Sequence, residues 1–232
     1  MHQFTKLFLL CCLLIAGFIK PMVIKAQSLN GTTGLVIIPT ARMQQDGTLS
    51  FGTSYFNKKY QEYFEGTKDF CTAYINFTFL PFLELVMRVN KPLYYHVGNY
   101  TVDRFPMVRL RLFKEKKYLP AIAVGIHDFA STESSNTVHF NATYIVLSKK
   151  MDDFDLHLGY APKIMKALYH QLDGPFGGLA YTPHKSVNLY AEYDSIHVNA
   201  GLQCLLLKHF AINLAALNLG SLAAGINYKV NL

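Results

Sequence analysis

The residues INYKVNL at positions 226–232 show most clearly the pattern from which the fold is predicted. Apolar side chains at Ile226, Tyr228, Val230 and Leu232 alternate there with polar ones. Successive side chains of a strand point to opposite faces of its sheet, so a period of two predicts a strand with one apolar and one polar face.

The same alternation recurs along the chain in segments close to the ~9–11 residues that a tilted membrane strand needs. The predicted strands cover residues 49–57, 70–79, 83–90, 104–113, 118–127, 137–149, 153–160, 175–183, 187–194, 196–206, 209–217 and 220–231. Long and short connections alternate over most of the chain, which is typical of outer-membrane barrels. We therefore predict an all-β fold, an antiparallel transmembrane β-barrel of about twelve strands over residues 49–232, with both termini periplasmic.

A soluble β-sandwich also alternates apolar and polar residues, so it is the competing interpretation. Two features favour the barrel. Aromatic residues make up 14% of the chain, and Tyr and Phe lie near the predicted strand ends, as in the aromatic girdles of membrane proteins. The polar faces of the strands also carry charges that a packed core would exclude.

The first 26 residues have the features of a secretory signal peptide: a positive charge at Lys6, an apolar run over residues 7–18 and a small residue at Ala26. The run is shorter than the ~20 residues of a membrane-spanning helix. We expect cleavage before Gln27 and export to the outer membrane of a Gram-negative cell. Cleavage lowers the formal charge from +7 to +4, a mild excess that suits anionic lipid or acidic polysaccharide and does not indicate nucleic acid.

Cysteine and histidine usage predicts no metal site and no cofactor. After cleavage only Cys71 and Cys204 remain in an oxidising compartment, and their spacing does not decide whether they pair. The nine histidines are scattered, without a Cys-x-x-Cys or His-Glu-x-x-His motif.

Two stretches, GLVIIPTARM at residues 34–43 and YLPAIAVGIHDFA at residues 118–130, resemble the YjbH-like family of outer-membrane proteins linked to exopolysaccharide production. The motif positions are Gly34, Pro39, Thr40, Ala41, Arg42, Met43, Asp46 and Gly47. The resemblance covers about residues 30–160. It implies a barrel that takes part in secreting or assembling a surface polysaccharide, and it supplies no catalytic residues.

Asp46-Gly47 is a hairpin signal between two extended runs. It predicts that residues 34–43 pair with residues 49–57, with Pro39 at an edge or a bulge because proline cannot donate to a ladder. Residues 27–48 would then form an extra strand, or a hairpin at the rim or in the lumen. Arg42 would lie near a rim or inside the lumen.

The alternation places a set of charged and titratable side chains on the inward face of the barrel. They are Glu84, Arg88, Arg109, Arg111, His127, Asp155, His157, Glu192, Asp194 and His197. One interpretation is structural, since opposite charges on neighbouring strands neutralise one another and fill the lumen. The other is that Arg42, Arg88, Arg109 and Arg111 form a basic path for an acidic glycan, because guanidinium groups bind carboxylates in a bidentate way.

The family resemblance, taken with the strand pattern, implies a non-enzymatic barrel in exopolysaccharide or capsule secretion. Its expected partners are outer-membrane lipids and lipopolysaccharide, an anionic polysaccharide and periplasmic export proteins. Residues 58–69 and 91–103 mix Tyr with Lys, a composition that suits contact with carbohydrate or lipopolysaccharide. Two alternatives remain: a lipid- or glycan-modifying enzyme that uses groups such as Ser195 with a nearby histidine, and a docking barrel for periplasmic proteins.

Overall fold

A computed structural model of the chain describes residues 26–58, 69–93, 102–130, 140–164, 172–206 and 209–232. The predicted signal peptide lies outside these residues apart from Ala26. The described residues form one closed barrel in which each strand pairs with two neighbours, and all of the pairs are antiparallel. This confirms the predicted barrel and rules out the soluble sandwich.

The strands are numbered along the chain. They are β1 (Thr48–Phe56), β2 (Phe70–Thr78), β3 (Leu83–Pro92), β4 (Asp103–Phe113), β5 (Ala121–His127), β6 (Ala142–Met151), β7 (Phe154–Ala161), β8 (Gly174–His184), β9 (Val187–Tyr193), β10 (Val198–Leu206), β11 (Phe210–Leu217) and β12 (Ser221–Asn231). All twelve predicted strands are present. The predictions began too early at residues 118–120 and 196–197, which form turns or coil before β5 and β10.

The two rims of the barrel differ. Thr48 at the start of β1 pairs with Asn231 at the end of β12, so both ends of the sheet lie on one rim. We call this the turn rim, because the connections at residues 79–82, 152–153 and 185–186 lie there and are short. The opposite rim, the loop rim, carries the long connections of the first eight strands. Placement of the turn rim in the periplasm stays a prediction.

The period of two in the sequence separates a wet inner face from an apolar outer face. On β2, Tyr74 and Asn76 point inward and are buried, whereas Ile75 between them is 48% exposed. Large apolar side chains such as Met87 and Leu214 are exposed in the same way on other strands. An apolar outer band of this kind is what a membrane barrel presents to lipid. In the described part of the chain, no helix is long and apolar enough to cross a membrane.

Aromatic side chains gather on the outer face near the turn rim. The rings of Phe154 and Tyr181 stack at 4.8 Å across β7 and β8. Phe51 and Tyr228 meet at 5.2 Å across β1 and β12. Phe and Tyr favour the interface between lipid and water, so this band resembles the aromatic girdle of an outer-membrane barrel.

We call residues 26–47 the plug segment, because residues 26–44 lie inside the barrel and residues 45–47 lead from the lumen to β1 at the turn rim. The only bridges of the plug segment in the described structure are isolated ones within the segment, between Gln27 and Thr33 and between Gly34 and Pro39. The predicted pairing of residues 34–43 with residues 49–57 is wrong, because β12 and β2 occupy both edges of β1. Gly47, with a φ of 72°, instead turns the chain out of the lumen and into β1.

The outer face yields a stability test. Ile226 lies midway along β12 and is 45% exposed, so Ile226→Arg places a charge near the middle of the lipid layer. We expect a loss of about 2–4 kcal/mol in folding free energy, against about 0–1 for Val230→Arg close to the turn rim. Urea unfolding of the barrel in lipid vesicles measures both. Equal losses for the two variants would contradict the assignment of this face to lipid.

Candidate functional site

The plug segment fills the lumen and contacts wall strands on all sides of it. Its apolar residues include Leu29, Val36 and Ile38, which are at most 3% exposed. Its polar partners lie on strands that are distributed around the closed barrel, namely β2, β3, β4, β6, β7, β9 and β12. The lumen of this structure is therefore closed by the chain itself.

A buried ion pair holds one side of the plug segment. The Arg109 Nη2 atom lies 3.1 Å from the Glu84 carboxylate, and both side chains are almost fully buried. Glu84 also accepts hydrogen bonds from the backbone N–H of Thr33, at 3.0 Å, and from the Thr33 hydroxyl. These bonds satisfy a carboxylate that would be costly to bury with the ion pair alone.

Arg109 organises the motif by binding backbone carbonyls that are distant from one another in the segment. Its Nη1 atom donates to the carbonyls of Thr33 and Thr40, the latter at 2.7 Å, and its Nη2 atom donates to the carbonyl of Arg42. The planar guanidinium presents several N–H groups in a fixed fork, which a lysine ammonium does not. One wall residue therefore brings the two sides of the 33–42 turn together.

Glu192 on β9 holds the opposite side of the plug segment. Its carboxylate accepts hydrogen bonds from three successive backbone N–H groups, those of Val36, Ile37 and Ile38, at 2.9, 2.8 and 3.4 Å. Asn199 donates to the same carboxylate at 3.1 Å. Successive N–H groups that converge in this way form an anion-binding concavity. Here the anion belongs to the wall and the concavity to the plug.

Arg88 on β3 is enclosed by aromatic rings and by the plug segment. Its guanidinium lies 4.9 Å from the ring centre of Phe105 and 4.8 Å from that of Phe140. Its Nη1 atom donates to the Asn30 side chain at 2.8 Å. The ring faces stabilise the desolvated cation, so Arg88 fastens the beginning of the plug segment.

Glycines on the inner wall make room for the apolar residues of the plug segment. A Cβ atom added at Gly178 would lie 2.6 Å from the Leu35 side chain, and one at Gly201 would lie 2.5 Å from Val36. A Cβ atom at Gly225 would lie 2.9 Å from Leu29. At each position a side chain would force the plug segment or the wall to shift, so the wall as it stands fits this segment closely.

The plug segment is also fastened at the turn rim. Arg42 forms a bidentate pair with Asp155, at 2.8 and 2.7 Å, and a 2.6 Å ion pair with Glu115 of the β4–β5 turn. The backbone N–H of Ala41 donates to the Ser148 Oγ atom at 2.8 Å. Arg42 is thus at the rim, within the range that the sequence predicted.

Glu115 lies outside the membrane-spanning strands, and its environment is set by its cationic neighbours. Burial, the largest influence, raises the pKa of the carboxyl group. Hydrogen bonds from Arg42, Lys149 and the backbone N–H of Lys150, together with the Arg42 charge, outweigh it and leave the pKa below its usual value. The carboxylate form is therefore the one that holds Arg42.

The predicted inward charges do not form a single cluster. Arg111 lies at the turn rim, where it donates to the Pro81 carbonyl. His127 is buried against the Tyr144 ring at 5.0 Å. Asp194 accepts hydrogen bonds from the backbone N–H groups of its own turn, at Ile196 and at His197.

The predicted basic path is not open in this structure. Arg88 and Arg109 are 1% and 2% exposed, and the plug segment occupies their donors. Arg42 is paired with two carboxylates. The sequence identified these arginines as inward-facing but gave no sign that the motif segment would cover them.

The enzyme alternative needs a serine that is hydrogen-bonded to a base, and the structure does not show such a pair at Ser195. In the described structure the Ser195 Oγ atom is buried without a hydrogen-bond partner. A serine and a histidine do meet elsewhere, at Ser148 Oγ and His157 Nδ1, 2.7 Å apart, with Asp155 3.9 Å from the other ring nitrogen. However, Ser148 is 1% exposed and binds the Ala41 N–H, so this group serves to attach the plug.

No metal centre is found in the part of the chain that the structure describes, since no three His, Cys, Asp or Glu side chains there could share an ion. The sequence analysis did not single out Ser148, Asn76 or Asn30 as contributors to the site. Ser148 and Asn76 could have been found by extending the inward parity of β6 and β2 to uncharged polar residues.

Comparison with known proteins supports the resemblance noted in the sequence. A family model described as "Exopolysaccharide biosynthesis protein YbjH" (YjbH) matches residues 26–171. The chain belongs to the YjbH family. The match begins with the plug segment and continues through seven of the barrel strands, so it includes the plug and the part of the wall that carries Glu84, Arg88 and Arg109.

Two similar proteins illustrate the extent of the likeness. The "Uncharacterized lipoprotein YjbH" of Escherichia coli (strain K12) is 32% identical over 142 aligned residues, and the match covers 58% of this chain but only 18% of that protein. A solved structure of "KdgM porin" matches with a TM-score of 0.50 and 13% identity, over 78% of this chain and 98% of the porin. At that identity the second likeness shows the barrel fold alone.

The glycines that contact the plug segment give a test of the fit between plug and wall. Gly201→Ala places a methyl group against Val36, so the plug segment or the strand must shift. We expect a loss of about 1–3 kcal/mol in stability, measured by thermal unfolding in detergent. Gly220→Ala is the matched control, because an added Cβ atom there has only a carbonyl oxygen at 3.7 Å. Equal melting temperatures for the two variants would contradict a close fit between Gly201 and Val36.

The rim ion pairs give a pH test. Because the pKa of Glu115 is lowered in the folded protein, its stabilising effect is present above the usual glutamate pKa of about 4.3 and is lost as the pH falls through the lower, folded pKa. We expect Glu115→Gln to be less stable than the wild type at pH 6, and we expect this gap to narrow as the pH falls below about 4.3. Urea unfolding at pH 6 and at pH 3 measures the gap, and a gap as large at pH 3 as at pH 6 would contradict the prediction.

Proposed function

We propose that this protein is a non-enzymatic outer-membrane barrel that takes part in the secretion or assembly of an exopolysaccharide or capsule. The observation that carries the proposal is the family-matched plug segment held in a charged lumen by Glu84, Arg109 and Glu192. Membership of an exopolysaccharide biosynthesis family supports the polymer class, and the closed barrel supports a role in the membrane.

The proposed location is the outer membrane, with the turn rim and both ends of the barrel in the periplasm. The apolar outer face and the aromatic band support insertion in a membrane, and the short connections of the turn rim support its placement in the periplasm. Signal cleavage after Ala26 is part of the proposal. The name of the E. coli relative includes the word lipoprotein, so the mass of the mature protein is informative: a start at Gln27 supports cleavage, and a lipid on Cys11 or Cys12 contradicts it.

The proposed partners are those of such a barrel. Lipids and lipopolysaccharide contact the outer face. Periplasmic export proteins meet the turn rim, where the β4–β5 turn presents lysines at residues 114, 116 and 117. The acidic polymer is the proposed ligand of the lumen arginines.

The docking alternative is altered by the structure. Residues 30–41, 43 and 44 are buried in the lumen, so within residues 30–47 only those at the turn rim, chiefly Gln45 and Asp46, offer a surface to a periplasmic protein. A docking barrel would have to use the turn rim instead. The enzyme alternative is altered as well, because the serine to test is Ser148 beside His157 in addition to Ser195.

Deletion of the gene in its own organism tests the proposed function. We expect surface polysaccharide to fall at least about tenfold and polymer to accumulate inside the cell envelope, with recovery when the wild-type gene is returned. Unchanged surface polymer would refute the proposal.

An assay of phospholipid and lipopolysaccharide deacylation by the purified barrel tests the enzyme alternative. We expect no activity above that of a detergent blank. Activity that disappears in Ser148→Ala or in Ser195→Ala, while the variant still folds, would establish the enzyme in place of the proposed role.

A further inference from the structure

We propose that the plug segment is a gate, which leaves the lumen to expose a channel whose Arg88 and Arg109 bind the acid groups of a polysaccharide. The identity of the polymer rests on the proposed function. Movement of the plug does not, because it can be measured with simple salts. Four features of the structure support the gate.

The first feature is that the plug segment can leave without breaking the sheet. Every barrel strand already has two antiparallel neighbours, and the bridges of the segment are internal to it. The wall holds residues 26–46 through side chains, such as the Glu84 and Glu192 carboxylates and the Arg109 guanidinium. The backbone tether is at Gly47, whose carbonyl accepts the N–H of Leu232 at the turn rim.

The second feature is a polar inner wall. Inward-facing hydroxyl and amide side chains on β1 and β2, among them those of Ser50, Thr78 and Asn76, line the lumen beside the plug segment. Hydroxyl and amide groups form hydrogen bonds with water as well as with protein. The same wall can therefore line a water-filled channel.

The third feature is the way in which the plug segment is held. Its strongest contacts are charged wall groups on backbone N–H and carbonyl groups, at Glu84, Arg109 and Glu192. Other oxygen-rich or N–H-rich groups can replace such contacts one by one. The apolar contacts at Gly178 and Gly201 add shape complementarity, and they involve no covalent bond and no strand pairing.

The fourth feature indicates what enters when the plug segment leaves. In the closed state, Arg88 and Arg109 bind plug oxygens, those of the Asn30 side chain and of backbone carbonyls. Carboxylate and hydroxyl oxygens of an acidic sugar chain are equivalent acceptors, and a carboxylate matches the guanidinium fork better than a carbonyl does. The rings of Phe105 and Phe140 beside Arg88 offer apolar faces to sugar rings.

Single-channel recording in planar lipid bilayers tests the gate on the full-length protein in potassium chloride. Glu84→Gln combined with Glu192→Gln removes both carboxylates that hold the plug while keeping their shapes. We expect the open fraction to rise about tenfold or more, which corresponds to about 1.4 kcal/mol. Asp173→Asn is the matched control, since Asp173 pairs with Lys163 in an exposed connection at the loop rim. Its open fraction should equal that of the wild type.

A reversible cross-link keeps the test decisive if the charge variants fold poorly. The Ala41 N–H meets Ser148 Oγ at 2.8 Å. We therefore combine Ala41→Cys with Ser148→Cys, in a background that carries Cys71→Ser and Cys204→Ser. Oxidation should abolish the openings, and a reductant should restore them. The two single-cysteine variants should not respond to oxidant.

Alginate oligomers serve as the acidic probe, with maltose oligomers as the neutral one. In the open Glu84→Gln, Glu192→Gln variant, alginate should block the current and maltose oligomers should not. Adding Arg88→Gln should weaken the alginate block about tenfold. Equal block by the two probes, or no change on Arg88→Gln, would refute the proposed acid-binding site.

The gate is refuted if the oxidised cross-link leaves the openings unchanged, or if an assembled charge variant stays as closed as the wild type. Surface polysaccharide is then measured in cells that carry the cross-linkable protein, so that failure of the gate can be distinguished from failure of the proposed function. If the cross-link closes the channel in bilayers but surface polymer is unchanged, the gate stands and the role in secretion fails. If surface polymer needs the barrel but openings ignore the cross-link, the role stands and the gate fails.

Discussion

The buried pair of Arg109 and Glu84 is the interaction on which the interior of the barrel depends. Two opposite charges, 3.1 Å apart and shielded from water, would gain little by themselves, because desolvation offsets their attraction. The plug segment completes the pair by donating to Glu84 from Thr33 and by accepting from Arg109 at its carbonyls. Loss of either partner would leave an unpaired buried charge, which costs about 3–5 kcal/mol. The ion pair of the wall and the plug segment therefore stabilise each other in the closed barrel.

Closure of the sheet explains why the motif segment is inside. A strand with a free edge would have accepted residues 34–43, but the barrel leaves none, since β1 is bonded to β12 and β2. The backbone groups of the segment must then find other partners. Side chains of the wall supply them: Glu192 for three N–H groups and Arg109 for the carbonyls. The inward-facing charged side chains thus form the hydrogen bonds that a neighbouring strand would otherwise form with the backbone of the segment.

The sequence was sufficient to predict the wall of the barrel, but it did not predict that the motif segment fills the lumen. The period of two identified all twelve strands, and their inward parity identified Glu84, Arg88, Arg109 and Glu192. The plug was missed because Asp46-Gly47 is a local hairpin signal, and local patterns do not show whether the edge of the next strand is free. The inward glycines at residues 178, 201 and 225 gave no signal either, since a glycine in a strand has several possible causes.

Glycines and charged side chains both fit the lumen to the plug segment. Gly178, Gly201 and Gly225 lie on β8, β10 and β12, and they leave room for apolar side chains of the segment. The charged side chains that bind its backbone lie on both halves of the barrel, with Glu84 and Arg109 on β3 and β4 and Glu192 on β9. Shape alone would allow any apolar segment of the right size, and charge alone would allow any polar chain. Together they select a segment that combines apolar side chains with backbone groups available to the wall, as residues 29–42 do.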